Sequence, residues 1–345
     1  MPKESIDALY TKVVKKILTE TLKVREGESV TVEAWNNGIP FARRALAEAR
    51  ALGCRAMLVY EDEEAYVEGV RRAPKDAVGA MGKNEYGMLA GTDAYIFVPG
   101  QALGVYSKTL RPGDRTRSTR YNSSWYDAAA KAGLRGARLT FGYVGKDMAR
   151  LLGKSTVDVA RAQLKAALVD YDEVASYARS KSQLLVDGAA ARLSSGGSEL
   201  NLTLSGELVV EDGLVDDEDK KSGNNMTYVP PGVVTKGVDP RSADGKVTLT
   251  NTLTKFGVIA HSELEFRDGK LFGWESEERA KMKKLFDAVP PDDRRVSLLG
   301  IGLNPALRPG YGQDRLVRGA VTISGFGFTG LVSRGRLAVG STHIL

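Results

Sequence analysis

In the segment FGVIAHSELEF an imidazole and two carboxylates fall in register. Side chains alternate along a strand, so His261, Glu263 and Glu265 share one face while Phe256, Val258, Ala260, Leu264 and Phe266 share the other. Such a trio can begin a metal site, but a half-buried strand with a solvated polar face produces the same pattern, and that is the expectation. A second cluster, RPGDRTRSTRYNSSWY, sets Arg111, Arg115, Arg117 and Arg120 beside Tyr121, Trp125 and Tyr126. Cations next to stacking surfaces suit single-stranded nucleic acid or an acidic peptide. The segment reads as a solvated surface loop and a candidate recognition loop, in a chain that also carries the acidic run Glu211 to Asp219.

Other motifs carry less. Gly325, Gly327 and Gly330 spell GxGxxG, but the LVSRGRLAVG that follows reads as strand and turn, not as the helix whose N-terminus would hold a pyrophosphate. The lysine of Gly82-Lys83-Asn84 lacks the following Ser/Thr of a P-loop, and no GxSxG serine has a plausible histidine partner. Dinucleotide, P-loop and serine-hydrolase chemistry are therefore not expected.

The elements that must position these residues fall into two grammars. From Glu28 the chain alternates: strand VTVEAW, helix FARRALAEARALG, strand RAMLVYED, a helix near Glu64 to Arg72, then strand AYIFVPG. Asn122 or Ser123 can cap a further helix through Ala130, ARLTFGYV reads as a strand, and two helices span Asp147 to Leu185. This is the pattern of a parallel α/β layer. Near residue 187 it gives way to ARLSSGGSELNLTLSGELVVEDG, a meander of short strands, and β-type runs continue to the end, broken mainly by the helix ERAKMKKLFDA. The expected fold class is α/β: an N-terminal parallel α/β domain over 1–187 and a C-terminal β-rich α+β domain over 188–345.

The 345 residues suit about two domains, and the net charge of +6 with a pI near 9.2 is too mild and too dispersed to require nucleic acid as a partner. A single cysteine, Cys54, excludes an internal disulfide and a Cys-based zinc site and suits a reducing, cytoplasmic setting. Histidine chemistry is limited to His261 and His343. No apolar stretch approaches a membrane span. Ile6, Leu9, Tyr10, Val13, Val14, Ile17, Leu18 and Leu22 write an amphipathic helix with Lys12, Lys15 and Lys16 at its polar side, expected to dock on the domain's own sheet and not on a membrane.

Several segments, taken in order, resemble the metal-dependent aminopeptidase family typified by thermophilic aminopeptidase T. They are KVREGESVTVEAW, RALAEARALGCRAMLVYEDE, ARLSSGGSELNLTLSGELVVEDG, YVPPGVV and the following GKVTL, EFRDGK, LLGIGLNPA, RGAVTISGFG and the terminal STHIL. The resemblance implies an N-terminal α/β domain, a C-terminal domain carrying a two-metal site, and a homodimer enclosing a cavity in which peptides are cut. By the same resemblance the family's metal ligands fall on Val233 in YVPPGVV, Leu298 before the LGIG turn, Thr322 in GAVTI, and the late pair His343 and Leu345, so that His343 alone is retained. Valine and leucine offer no lone pair, and losing three carboxylates removes the charge that would offset paired divalent cations. The expectation is a vestigial site and a non-catalytic or repurposed protein, a pseudoenzyme holding a peptide or small-molecule ligand, with no cofactor.

Two alternatives stay open. An active aminopeptidase would need zinc, cobalt or manganese, held by a rebuilt site in which the α-carboxylate of Leu345 joins His343 and His261, Glu263 or Glu265. A nucleic-acid binder would rest on the arginine segment.

Overall fold

The computed structural model describes residues 4–74, 77–99, 112–142, 144–254 and 257–345. The chain divides into two compact units, one of Met1–Leu168 with Gly213–Pro230, the other of Val169–Asp212 with Pro231–Leu345. This differs from a single cut near 187. Helices α7 (Thr156–Ala167) and α8 (Tyr171–Ser182) fall in different units, and the chain returns to the first unit to lay down β7 (Met226–Val229) as an added parallel strand. A four-residue strand far along the chain carries too little pattern to announce that return.

The first unit is built on a parallel sheet in the order β2-β1-β3-β4-β7, with β1 at Ser29–Trp35, β2 at Arg55–Glu61, β3 at Ala94–Val98 and β4 at Arg135–Leu139. One face presents Val30, Val32, Ala34, Ile96, Val98 and Leu139 to α1 (Ile6–Lys16), α2 (Ile39–Ala51) and α7. The sequence's amphipathic stripe lies here, with Leu9, Tyr10, Val13, Val14, Ile17, Leu18 and Leu22 all nearly or wholly buried in that core. Helices α3 (Glu63–Arg72), α4 (Lys83–Ala90) and α5 (Pro112–Ala132) follow, and on the opposite face Leu89 of α4 and Ala129 of α5 join Tyr95 and Met226 in a smaller cluster. Helix α5 corrects the arginine-loop reading: Arg115, Arg117 and Arg120 lie within a helix that begins well before Asn122. Arg120 is exposed, the side chains of Arg115 and Arg117 are not described, and Arg111 lies outside the described residues. After β4 come α6 (Lys146–Leu151), α7 and α8, three helices where the sequence suggested two.

The second unit is one antiparallel sheet in the order β11-β10-β9-β14-β13-β12-β8-β6-β5-β15-β16. Strand β6 (Ser198–Glu211) also pairs with β9 (Asp244–Thr254) through Leu200–Gly245 and Asn201–Asp244, so the strands from β9 to β6 close into a ring. Gly245 sits at this seam with φ of 111°, and a Cβ there would lie 2.3 Å from the Glu199 carbonyl oxygen. The meander foreseen after 187 is one hairpin of β5 (Ala190–Ser195) and a long β6 whose register shifts between Leu204 and Leu208. The remaining strands are β8 (Val233–Val238), β10 (Gly257–Arg267), β11 (Lys270–Ser276), β12 (Leu298–Gly302), β13 (Val321–Gly325), β14 (Phe328–Val332), β15 (Arg336–Val339) and β16 (Thr342–His343). Helix α9 (Asp217–Ser222) belongs to the first unit, and α10 (Arg279–Asp287) packs Met282, Leu285 and Phe286 in the second. No described helix is long and apolar enough to cross a membrane.

Candidate functional sites

The segments YVPPGVV and LLGIGLNPA are laced together at the start of β8. The Gly232 N–H donates to the Glu211 carbonyl (2.6 Å), the Leu303 N–H to the Gly232 carbonyl (2.8 Å), and the buried Asn304 side chain to the Pro231 carbonyl (2.8 Å). Val233 then pairs with Gly302, Leu298 with Ser324 and Gly237, and Thr322 with Gly300, which places Val233, Leu298 and Thr322 on one face of three adjacent strands. Val233 and Thr322 are buried and Leu298 is 40% exposed. A Cβ on Gly300 would meet Thr322 Oγ1 at 2.4 Å and Val233 Cγ2 at 3.8 Å, so these two side chains flank the glycine. Glu211, a carboxylate that pairs with Val233 in register, is held by Arg315 at 3.0 Å.

These residues do not fit a metal ion: two hydrocarbon side chains and one hydroxyl supply a single donor where three or four are needed. His343 is exposed on β16 and Leu345 half-buried beyond it, at the far edge of the sheet, with β6, β5 and β15 between β16 and β8. Among the described residues His343 is not brought together with His261, Glu263 or Glu265. Along β10, Glu263 and Glu265 face Lys246 at 3.4 and 3.7 Å, and Glu265 also binds Arg267 at 2.7 Å. Among the described residues no three His, Cys, Asp or Glu side chains come together to hold a cation. His261, Glu263 and Glu265 lie on the more exposed face of β10, with Leu264 and Phe266 buried behind. The alternation slips in the first half of β10: Ile259 is buried and Ala260 exposed, opposite a paired strand in which Asn251 takes φ of 48°. Phe256 lies outside the described residues.

A second candidate, which the sequence reading did not single out, lies in the first unit. The glycine-rich stretch at Gly325 to Gly330 is a β13–β14 hairpin, and the LVSRGRLAVG after it is strand and turn, as its sequence suggested, but the parallel sheet carries a pocket of about 230 Å³ at the C-terminal ends of its strands. Register puts Glu33, Phe97 and Arg138 in one row across β1, β3 and β4, with Trp35 and Glu61 in the next row of that face. Ligands of open parallel sheets collect where neighbouring strands exit toward opposite faces, here between β1 and β3. Tyr66 of α3 stands 5.2 Å from Trp35, and Trp125 of α5 stands 5.0 Å from Tyr95 and 5.4 Å from Tyr126, ring centre to ring centre. The Arg138 guanidinium lies over the Phe97 ring at 4.5 Å.

The electrostatics of this pocket are unusual for a parallel sheet, whose faces are ordinarily apolar. Glu33 accepts hydrogen bonds from the Tyr95 hydroxyl and from Trp35 Nε1 (3.2 Å), yet burial holds its carboxyl above the ordinary range. Glu61 is raised first by burial and then by the neighbouring Glu33, Asp62 and Glu85. Burial and the adjacent carboxylates push the Tyr95 and Tyr121 hydroxyls far up, and Tyr121 donates to Glu85. The rim is fixed by Asp62, which caps α3 at the Ala65 N–H (2.9 Å) and accepts from Asn36 Nδ2 (3.1 Å). The available signal was a glutamate in VTVEAW and an arginine in ARLTF, charges inside strands that a doubly covered sheet should bury.

No family model matches the chain and no curated protein matches it. Among solved structures, wild-type aminopeptidase T from Thermus thermophilus matches with a TM-score of 0.61 over 93% of this chain and 86% of that one, at 16% identity. The fold is aminopeptidase T-like. A 2,5-dihydroxypyridine dioxygenase from Pseudomonas putida KT2440 matches with a TM-score of 0.64 over 99% of this chain and 96% of that one, at 14% identity. The aminopeptidase T-like scaffold is therefore shared by proteins named for different reactions.

Proposed function

We propose that this chain is a ligand-binding protein on an aminopeptidase T-like scaffold, and that it does not perform two-metal peptide hydrolysis. The observation that carries the reading is the set of Val233, Leu298 and Thr322 around Gly300, where the resemblance places metal ligands and the side chains offer one hydroxyl. Without at least three donors a hydrolytic metal is neither held nor able to activate water. Support also comes from the two solved neighbours, whose names pair one scaffold with an aminopeptidase and with a dioxygenase. Function resides in the site and not in the fold. The ligand is a peptide or another small molecule. The homodimer implied by the resemblance and a cytoplasmic setting, in keeping with the single Cys54, belong to the same proposal.

The test is a peptidase assay on the full chain with zinc, cobalt or manganese, run beside elemental analysis of protein purified without chelator. No release of N-terminal residues and metal well below one equivalent are expected. Turnover by metal-loaded protein would overturn the reading. Sedimentation velocity reads the dimer directly.

A further inference from the structure

The pocket between β1 and β3 is a separate matter from the vestigial region, since it lies wholly within the other unit. Its wall is largely aromatic, including Trp35, Tyr66, Tyr95, Phe97 and Trp125, and its charged groups are Glu33, Glu61 and Arg138. Two carboxylates against one guanidinium leave a net negative site, which disfavours an anion. The guanidinium is already stacked on Phe97. A divalent metal is disfavoured as well, because no three ligating side chains converge among the described residues and Glu33 already accepts from Tyr95 and Trp35. What remains is a cation whose charge is met by ring faces and by a carboxylate that needs no hydrogen bond from it.

We propose that this pocket binds a small methylated ammonium ion, with the rings as the walls of the cage and Glu61 as the counter-charge. The electron-rich faces of Trp and Tyr attract such ions within about 6 Å, more strongly where water is excluded. A primary ammonium would have to compete for acceptors already engaged, since Glu33 accepts from Tyr95 and Trp35, whereas a methylated head needs none and presents only a diffuse charge and apolar surface to the rings. The cavity volume of about 230 Å³ leaves room for a choline-sized ligand.

The experiment titrates a full-length Trp274→Phe background, in which Trp35 and Trp125 are the only tryptophans, with choline chloride at constant ionic strength and follows tryptophan fluorescence. The neutral isostere 3,3-dimethyl-1-butanol runs in parallel. Saturable binding of choline at least tenfold tighter than the alcohol is expected. Glu61→Gln, at a partly exposed position, should weaken choline at least tenfold, leave the alcohol unchanged and preserve the melting temperature. No saturable response to choline, equal affinity for the two compounds, or an unchanged choline affinity in Glu61→Gln would each overturn the proposal. Peptide release in the metal assay would overturn the functional reading above and leave this one standing, because the two tests address different units of the chain.

Discussion

Val233 on β8 and Thr322 on β13 flank Gly300, whose missing side chain leaves the Thr322 hydroxyl only 2.4 Å from where a Cβ would stand. If the ligand positions are those of the resemblance, Val233→Glu, Leu298→Glu and Thr322→His together restore donors on one face of adjacent strands. The triple variant should bind zinc at least tenfold more tightly than the natural chain. Because Val233 is buried, an unpaired carboxylate there costs about 2 kcal/mol or more without metal, and added zinc should recover stability by mass action. Melting curves with and without zinc measure both effects, and a variant indifferent to zinc would show the ligand positions to be misassigned.

Glu33 sets a pH dependence of stability. Burial raises its folded-state pKa above the unfolded value, so its contribution is full below the unfolded value and is lost as pH rises through the folded one. Glu33→Gln cannot ionise. Relative to the natural chain, the variant should gain stability over the pH interval above the unfolded carboxylate value, as thermal unfolding across that range would record. A difference that stays constant across that interval would refute the assignment.

The pair Lys236–Asp187 works in the opposite sense. Lys236 on β8 is buried, its Nζ donating to Asp187 at 2.6 Å and to the Gly206 carbonyl at 2.5 Å. The lysine hydrogen bond holds the Asp187 carboxyl below its usual range, so the stabilisation is present above the unfolded pKa and is lost as pH falls through the folded one. Asp187→Asn should lower the melting temperature at neutral pH, with the gap closing in acid. An unchanged melting temperature at neutral pH would show the contact to be inconsequential.

Closure of the ring is sensitive to a single methyl group. Gly245→Ala combines an unfavourable φ with a backbone collision, and its expected cost is on the order of 3 kcal/mol. Gly273→Ala on β11, where the nearest atom stands 3.7 Å from the added carbon, serves as the near-neutral control. Chemical denaturation of both variants decides whether the seam is as tight as described.

Much of the architecture was legible because periodicity is a local property. The stripe from Ile6 to Leu22, the strands VTVEAW and RAMLVYED and the helix over ERAKMKKLFDA all lie where their patterns put them. The arginine segment was misread because charge and glycine suggested a loop, whereas the helix begins at Pro112, a residue suited to a first turn. The pocket escaped notice for a different reason. Its walls come from β1, β2, β3, β4, β7, α3 and α5, and nothing local in any one of them states that Glu33, Tyr95 and Trp125 meet.

Strand β7 has a consequence for how the protein is made. It lies beside β4 in the parallel sheet, yet Met226–Val229 leave the ribosome only after residues 169–212 have begun the other unit. Until then β4 presents an open edge on the nascent chain, the kind of template that recruits unwanted strands. The two units consequently mature in alternation, and a chain stopped near 187 would carry that uncovered edge permanently.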